Sequence, residues 1–142
     1  MMFILDTNAV SELRKVQFGK ANARFVQWAD NTSPSDLYVS AITIMEIEIG
    51  ALQMERRDAV QGAALRRWLE NQVLPSFEER ILPVDLDVAR RCANLHVPDR
   101  KNERDALIAA TALVHKMTVV SRNVADFAST GVALVNPWDH AS

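Results

Sequence analysis

The sequence predicts an α/β fold: a small parallel β-sheet flanked by helices on both faces. Its strand-like runs are continuously apolar rather than alternating, the mark of strands buried on both sides. Those runs take turns with helix-like segments along the chain, the pattern that a parallel sheet requires. No repeat, low-complexity tract or Gly/Ser-rich linker divides the 142 residues, so one domain spanning 1–142 is expected.

Taken in order, Met2 to Leu5 within "MMFIL" reads as a first buried strand. It ends abruptly on Asp6-Thr7-Asn8 and passes into a helix, which Asp6 could cap near Asn8. Asn22 to Ala29 places Phe25 and Trp28 at helical spacing before the breaker "NTSPSD". "LYVSA" reads as a second strand, and Ser40 or Thr43 can cap a helix running through Met54. Val60 to Leu74 forms another helix, with Ala64, Leu65, Trp68 and Leu69 on one side and Pro75 closing it. "RILPVDLDVARRCANL" then repeats strand followed by helix. "NERDALIAATALVHK" with "MTVVS" gives helix followed by strand, and "VALVNPW" ends the sheet.

Composition narrows the class. With 49% apolar and 24% charged residues, the chain has an ordinary globular make-up. Its one cysteine, Cys92, allows neither an internal disulfide nor a thiolate metal cluster, and a reducing cytoplasm is the expected setting. "MMFIL" is too short for a signal-peptide core and "LIAATALV" too short to span a bilayer, so no membrane role is expected. The net charge of −2 is not that of a protein that coats nucleic acid. Basic groups at Arg56-Arg57, Arg66-Arg67, Arg90-Arg91 and Arg100-Lys101 with Arg104 could meet phosphates, although solvated helix faces account for each pair alone.

Four acids stand where a doubly wound sheet builds its sites, near strand ends and helix starts. Asp6 follows the first strand, Glu46 lies in "ITIMEIEIG", Asp105 opens "DALIAATAL", and Asp126 follows "TVVSRN". Structural readings exist for three of them: Asp6 as a cap, Asp105 as a first-turn acid favoured by the helix dipole, Asp126 as a turn cap. Glu46 is flanked by Ile44, Met45 and Ile47, where an unpaired carboxylate is costly. Glu48, two residues on, points to another side of the helix and is set aside. Gly50, four residues after Glu46, is expected to let that face approach a neighbouring backbone, as Ala109 and Ala112 do beneath Asp105.

If the four acids converge, two carboxylates about 4 Å apart repel by roughly 4 kcal/mol at an effective dielectric near 20, and a cation must lie between them. Hard oxygen donors without a cysteine cluster suit Mg²⁺, with Mn²⁺ as a substitute, rather than zinc. His96, His115 and His140 are scattered, form no ligand pair and read as surface or partly packed residues.

"FILDTNAVSELRK", "SAITIMEIEIG", "RDALIAATA", "VVSRNVADF" and "GVALVNPW", in this order and spacing, resemble a PIN domain, in particular the VapC-type toxins of the FitB-like branch. The resemblance covers nearly the whole chain. It implies a Mg²⁺-dependent endoribonuclease, the toxin of a toxin–antitoxin pair, that hydrolyses RNA with a water activated at an acidic cluster and leaves a 5′-phosphate and a 3′-hydroxyl. Asp6, Glu46 and Asp105 fall on the first three acids of the family. Asp126 is favoured for the fourth, with Asn123 as an alternative ligand or water holder. Thr7 is placed to hydrogen-bond a carboxylate or a metal-bound water, and Asn8 to stabilise the turn. A VapB-like antitoxin, a homodimer, and contact with DNA only through the antitoxin are further implications.

Other readings fare worse. A haloacid-dehalogenase-like phosphatase needs an acid where Asn8 stands, and a receiver domain needs an acidic pair after the first strand and a late lysine. An inactive PIN-like module that binds RNA or protein is the remaining alternative. It would be expected to have lost one of Asp6, Glu46 or Asp105, because crowded carboxylates without a cation only destabilise the fold.

Overall fold

A computed structural model describes residues 1–139. Its centre is a five-stranded sheet made of β1 (Phe3–Leu5), β2 (Leu37–Ser40), β3 (Ile81–Leu82), β4 (Thr118–Val120) and β5 (Leu134–Val135). All pairings are parallel and the order is β3-β2-β1-β4-β5. The chain therefore winds outward from β1 to β3 and then returns to the other side of β1. The crevice at the carboxyl ends of β1 and β4 is the point where the winding reverses.

The described residues also form eight α-helices: α1 (Thr7–Val16), α2 (Ala23–Asp30), α3 (Ala41–Arg57), α4 (Ala59–Trp68), α5 (Leu74–Ser76), α6 (Leu86–Leu95), α7 (Glu103–His115) and α8 (Val124–Phe127). Side chains alternate between the two faces of the sheet even though both faces are covered. Leu5 and Val39 join Phe25, Trp28 and Trp138 on one face, and Ile4 and Val119 join Ile108, Ala109 and Ala112 on the other. The outer side of α7 packs Ala106 and Ala110 against Val88 and Cys92 of α6. A helix held between a sheet and another helix has to be apolar nearly all round, which explains "ALIAATALV". Small residues at Ala109 and Ala112 let α7 lie close on the sheet.

Three local expectations are corrected. Gly50 makes no close approach: a methyl group there would meet nothing within 4 Å. The tight crossing is at Gly62 of α4, where a Cβ would lie 2.5 Å from the Glu55 Cα of α3. The expected helix Val60 to Leu74 is interrupted, since α4 ends at Trp68 and a wide π turn, Leu69–Val73, follows. Pro75 then lies inside α5 rather than closing the helix. A proline ring clashes with the carbonyl four residues back, and a widened turn relieves that clash. Finally, α3 reaches Arg57, beyond Met54, and its cap is Ser40, whose hydroxyl accepts from the Ile42 amide at 3.0 Å. Thr43 is buried within the first turn.

Candidate active site at the sheet switch point

Each acid is carried to the crevice by a strand end or a helix. The Asp6 amide donates to the Val120 carbonyl at 3.1 Å, so strand geometry still holds this residue as the chain turns. Its side chain caps α1, accepting from the Ala9 amide at 2.9 Å. Only 6% of Asp6 is exposed. Burial pushes its carboxyl above the usual 3.8, and the charge of Glu46 adds to this. The Ser121 hydroxyl and the Ala9 and Asn8 amides act in the opposite direction.

Glu46 lies on α3, about one and a half turns from its start. Thr7 Oγ1 donates to Glu46 Oε1 at 2.7 Å, and Arg104 Nη1 stands 3.6 Å from Oε2. Glu48 turns away and pairs with Arg66, which also holds Glu55 at 3.0 Å. Asp105 is the third residue of α7, its amide satisfied by the Asn102 cap at 3.1 Å. Its carboxyl is also raised, by burial first and then by the charges of Asp126, Glu46 and Asp6. The charges of Asp126, Glu46 and Asp6 thus all bear on Asp105.

Asp126 is exposed in the first turn of α8, its amide donating to the Asn123 carbonyl at 3.0 Å. Asn123 is also exposed. Its amide donates to Ser121 Oγ at 3.0 Å, and its side chain makes no capping bond. Asn8 is exposed on the outer side of the first turn of α1.

The donor set is therefore four carboxylates and a threonine hydroxyl, all oxygen, which is the chemistry that hard divalent cations take. Among the described residues, no three of the four acids bring their oxygens all within 4.8 Å of one another. Cys92, His96 and Glu103 do meet that spacing. Cys92 Sγ lies 3.7 Å and Glu103 Oε2 3.5 Å from His96 Nε2. However, His96 Nδ1 accepts the Lys101 amide at 3.1 Å, so the ring proton belongs on Nε2, facing Cys92 and Glu103. A metal-bound histidine has the reverse arrangement, with the far nitrogen donating. The trio instead clasps the turn between α6 and α7, and burial with the nearby Glu103 charge keeps the Cys92 thiol protonated. His115 is partly buried, and His140 lies outside the described residues.

Sequence reasoning overlooked Ser121, which is fully buried beside Asp6 and joins the ends of β1 and β4. Its position immediately after an apolar strand, matching that of Asp6, was the available signal. The pairing of Arg104 with Glu46 joins residues 58 positions apart and has no sequence signature.

The PIN domain family model matches residues 3–132. VapC ribonuclease Y4jK of Sinorhizobium fredii is 36% identical over 99% of this chain and 100% of its own length. Toxin FitB of Neisseria gonorrhoeae is 36% identical over 96% of this chain and 99% of its own. The crystal structure of FitAcB from Neisseria gonorrhoeae superposes with a TM-score of 0.86 at 35% identity, covering 97% of this chain and 99% of that one. A structure of FitAB bound to an IR36 DNA fragment gives 0.83 at 34% identity, covering 99% of each chain. With its parallel sheet, its acids at the switch point and relatives matched along their full length, the chain belongs to the PIN-domain family, in the branch of VapC and FitB.

Proposed function

We propose that the chain, acting as one domain over 1–142, is a Mg²⁺-dependent endoribonuclease and the toxin of a toxin–antitoxin pair. The observation that carries this reading is the carboxyl of Asp105, raised by burial first and then by the charges of three other acids delivered from separate elements. Such crowding costs stability and has a chemical use only with a divalent cation. The ribonuclease and toxin names of full-length relatives support the same reading.

In this reading Asp6 and Asp105 hold the principal ion, and Glu46 and Asp126 orient the attacking water or help hold a second. When bound, the ion supplies Lewis-acid stabilisation of charge on the scissile phosphate and lowers the pKa of water. Mn²⁺ substitutes for Mg²⁺. Thr7 fixes the rotamer of Glu46 through the 2.7 Å hydrogen bond, and Ser121 helps keep Asp6 ionised. Asn123 is a water or ligand holder at the rim, and Asn8 stabilises the turn that exposes Asp6. No covalent nucleophile is required. The products carry a 5′-phosphate and a 3′-hydroxyl.

A VapB-like antitoxin is the proposed partner, and DNA is reached only through it, in line with the DNA-bound FitAB structure. A homodimer acting in the cytoplasm completes the reading. No helix among the described residues is long and apolar enough to cross a membrane. The direct test maps cut ends in total cellular RNA incubated with Mg²⁺ or with chelator, for wild type and Asp105→Asn. Metal-dependent cuts lost in the variant are expected. Their absence from the wild type would return the chain to the inactive binding module.

A further inference from the structure

We propose that Arg104 is the resident counter-cation of Glu46, displaced when a divalent ion binds and then free to grip a phosphate of the RNA. The inference rests on the ribonuclease reading and assigns a role to a residue outside the acidic set. Both oxygens of Glu46 are engaged: Thr7 Oγ1 donates to one at 2.7 Å, and Arg104 Nη1 stands 3.6 Å from the other. Among the described residues, Arg104 is the one Lys, Arg or His with a nitrogen within 4.0 Å of a carboxylate oxygen of Asp6, Glu46, Asp105 or Asp126. For Glu46 Oε2 to orient the attacking water or help hold an ion, as the proposed function requires, the guanidinium would have to let go.

Helix stability does not explain this arginine. It is the second residue of α7, in a turn where the helix dipole favours anions, and its neighbours Glu103 and Asp105 obey that preference. Arg104 alone opposes it. Nor does the ion pair secure the fold, since the Arg104 side chain is 47% exposed and such pairs contribute little. Arg100, close by in the chain, stands 3.8 Å from Glu103 instead. What remains is a half-exposed planar fork of five N–H donors beside Glu46, the geometry that grips a phosphate through two parallel bonds.

The test pairs calorimetric titration with Mn²⁺ alone with steady-state cleavage of RNA at saturating Mg²⁺, for wild type, Arg104→Gln and Arg104→Lys. Removing the competing charge in Arg104→Gln is expected to tighten Mn²⁺ binding roughly two- to tenfold. The same variant is expected to raise KM for RNA at least about fivefold through the lost phosphate contact. Arg104→Lys keeps the charge and should leave Mn²⁺ affinity near wild type while still raising KM, because an ammonium has no fork. A residue that merely orients Glu46 gives the opposite sign, with weaker Mn²⁺ binding in Arg104→Gln. Weaker or unchanged Mn²⁺ binding, or an unchanged KM, overturns the proposal. Failure of the wild type to bind Mn²⁺ would overturn the ribonuclease reading along with it.

Discussion

Neutralising Asp105 should stabilise the protein while disabling it. In Asp105→Asn the shape is kept, but the charge that Asp126, Glu46 and Asp6 repel is removed. Each like charge at about 7 Å contributes roughly 0.6–2.4 kcal/mol at effective dielectrics from 80 to 20; partial exposure favours the lower figure, and the three acids together then contribute about 2 kcal/mol. Against this stands the helix-dipole benefit of an acid in the first turn of α7, about 0.3–1 kcal/mol. The carboxyl is raised, so repulsion and burial outweigh the dipole. A net gain of about 1 kcal/mol follows, which for a chain of 142 residues corresponds to a Tm rise of roughly 3 °C in chelator. Mg²⁺ at ten times its Kd should stabilise the wild type by about 1.4 kcal/mol, or roughly 4–5 °C, and the variant by far less. The pH dependence has a definite sign. The folded state holds the Asp105 proton more tightly than the unfolded chain, so the wild-type penalty is full above the raised folded value. It vanishes as pH falls below 3.8, and the gap between the two proteins closes through that window. Differential scanning fluorimetry across pH, with and without Mg²⁺, reads every part of this. A variant less stable than wild type in chelator, with an undiminished Mg²⁺ shift, would refute the reasoning.

Asp6→Asn should fold normally, because asparagine caps a helix as well as aspartate and can still accept from the Ala9 amide. RNA cleavage should drop by at least about a hundredfold, and retained full activity would remove Asp6 from the site. Thr7→Val, which strips the hydrogen bond from Glu46, should lower kcat by roughly tenfold with little change in Tm. Gly62→Ala should cost about 1–3 kcal/mol, visible in urea titration, because its Cβ would sit 2.5 Å from the Glu55 backbone. Gly50→Ala, facing open space within α3, should be stabilising by roughly 0.5–1 kcal/mol. Equal effects at the two glycines would contradict the packing described for α3 and α4.

What could be read from the sequence follows a physical divide between local and long-range causes. The strands β1, β2 and β4 and the helices after β1 and β2 were legible because burial on both faces leaves an unbroken apolar run, and because Asp6 and Ser40 mark the turn from strand to helix, whereas the short α8 after β4 was not expected. The acids were legible for a related reason. A carboxylate beside an apolar strand or within an apolar helix is costly, so its presence at Asp6 or Glu46 demands a purpose. The Gly50 reading failed because both glycines lie on helices and only the crossing of α3 with α4 decides which is crowded. The clasp of Cys92, His96 and Glu103 was missed because the 92–96 spacing lies along one helix while Glu103 arrives from the next. Arg104 was visible as a basic residue but not as the partner of Glu46, because that contact exists only after α3 and α7 converge on the crevice. The same convergence explains why the acidic pocket carries a cation of its own. Carboxylates gathered from a strand end and three helices repel before any ion arrives, and a half-exposed guanidinium beside Glu46 lowers that repulsion. A buried cation would have been harder to displace. The half-exposed position of Arg104 therefore suits a group that gives way to an ion, and it is the feature on which the Mn²⁺ titration bears most directly.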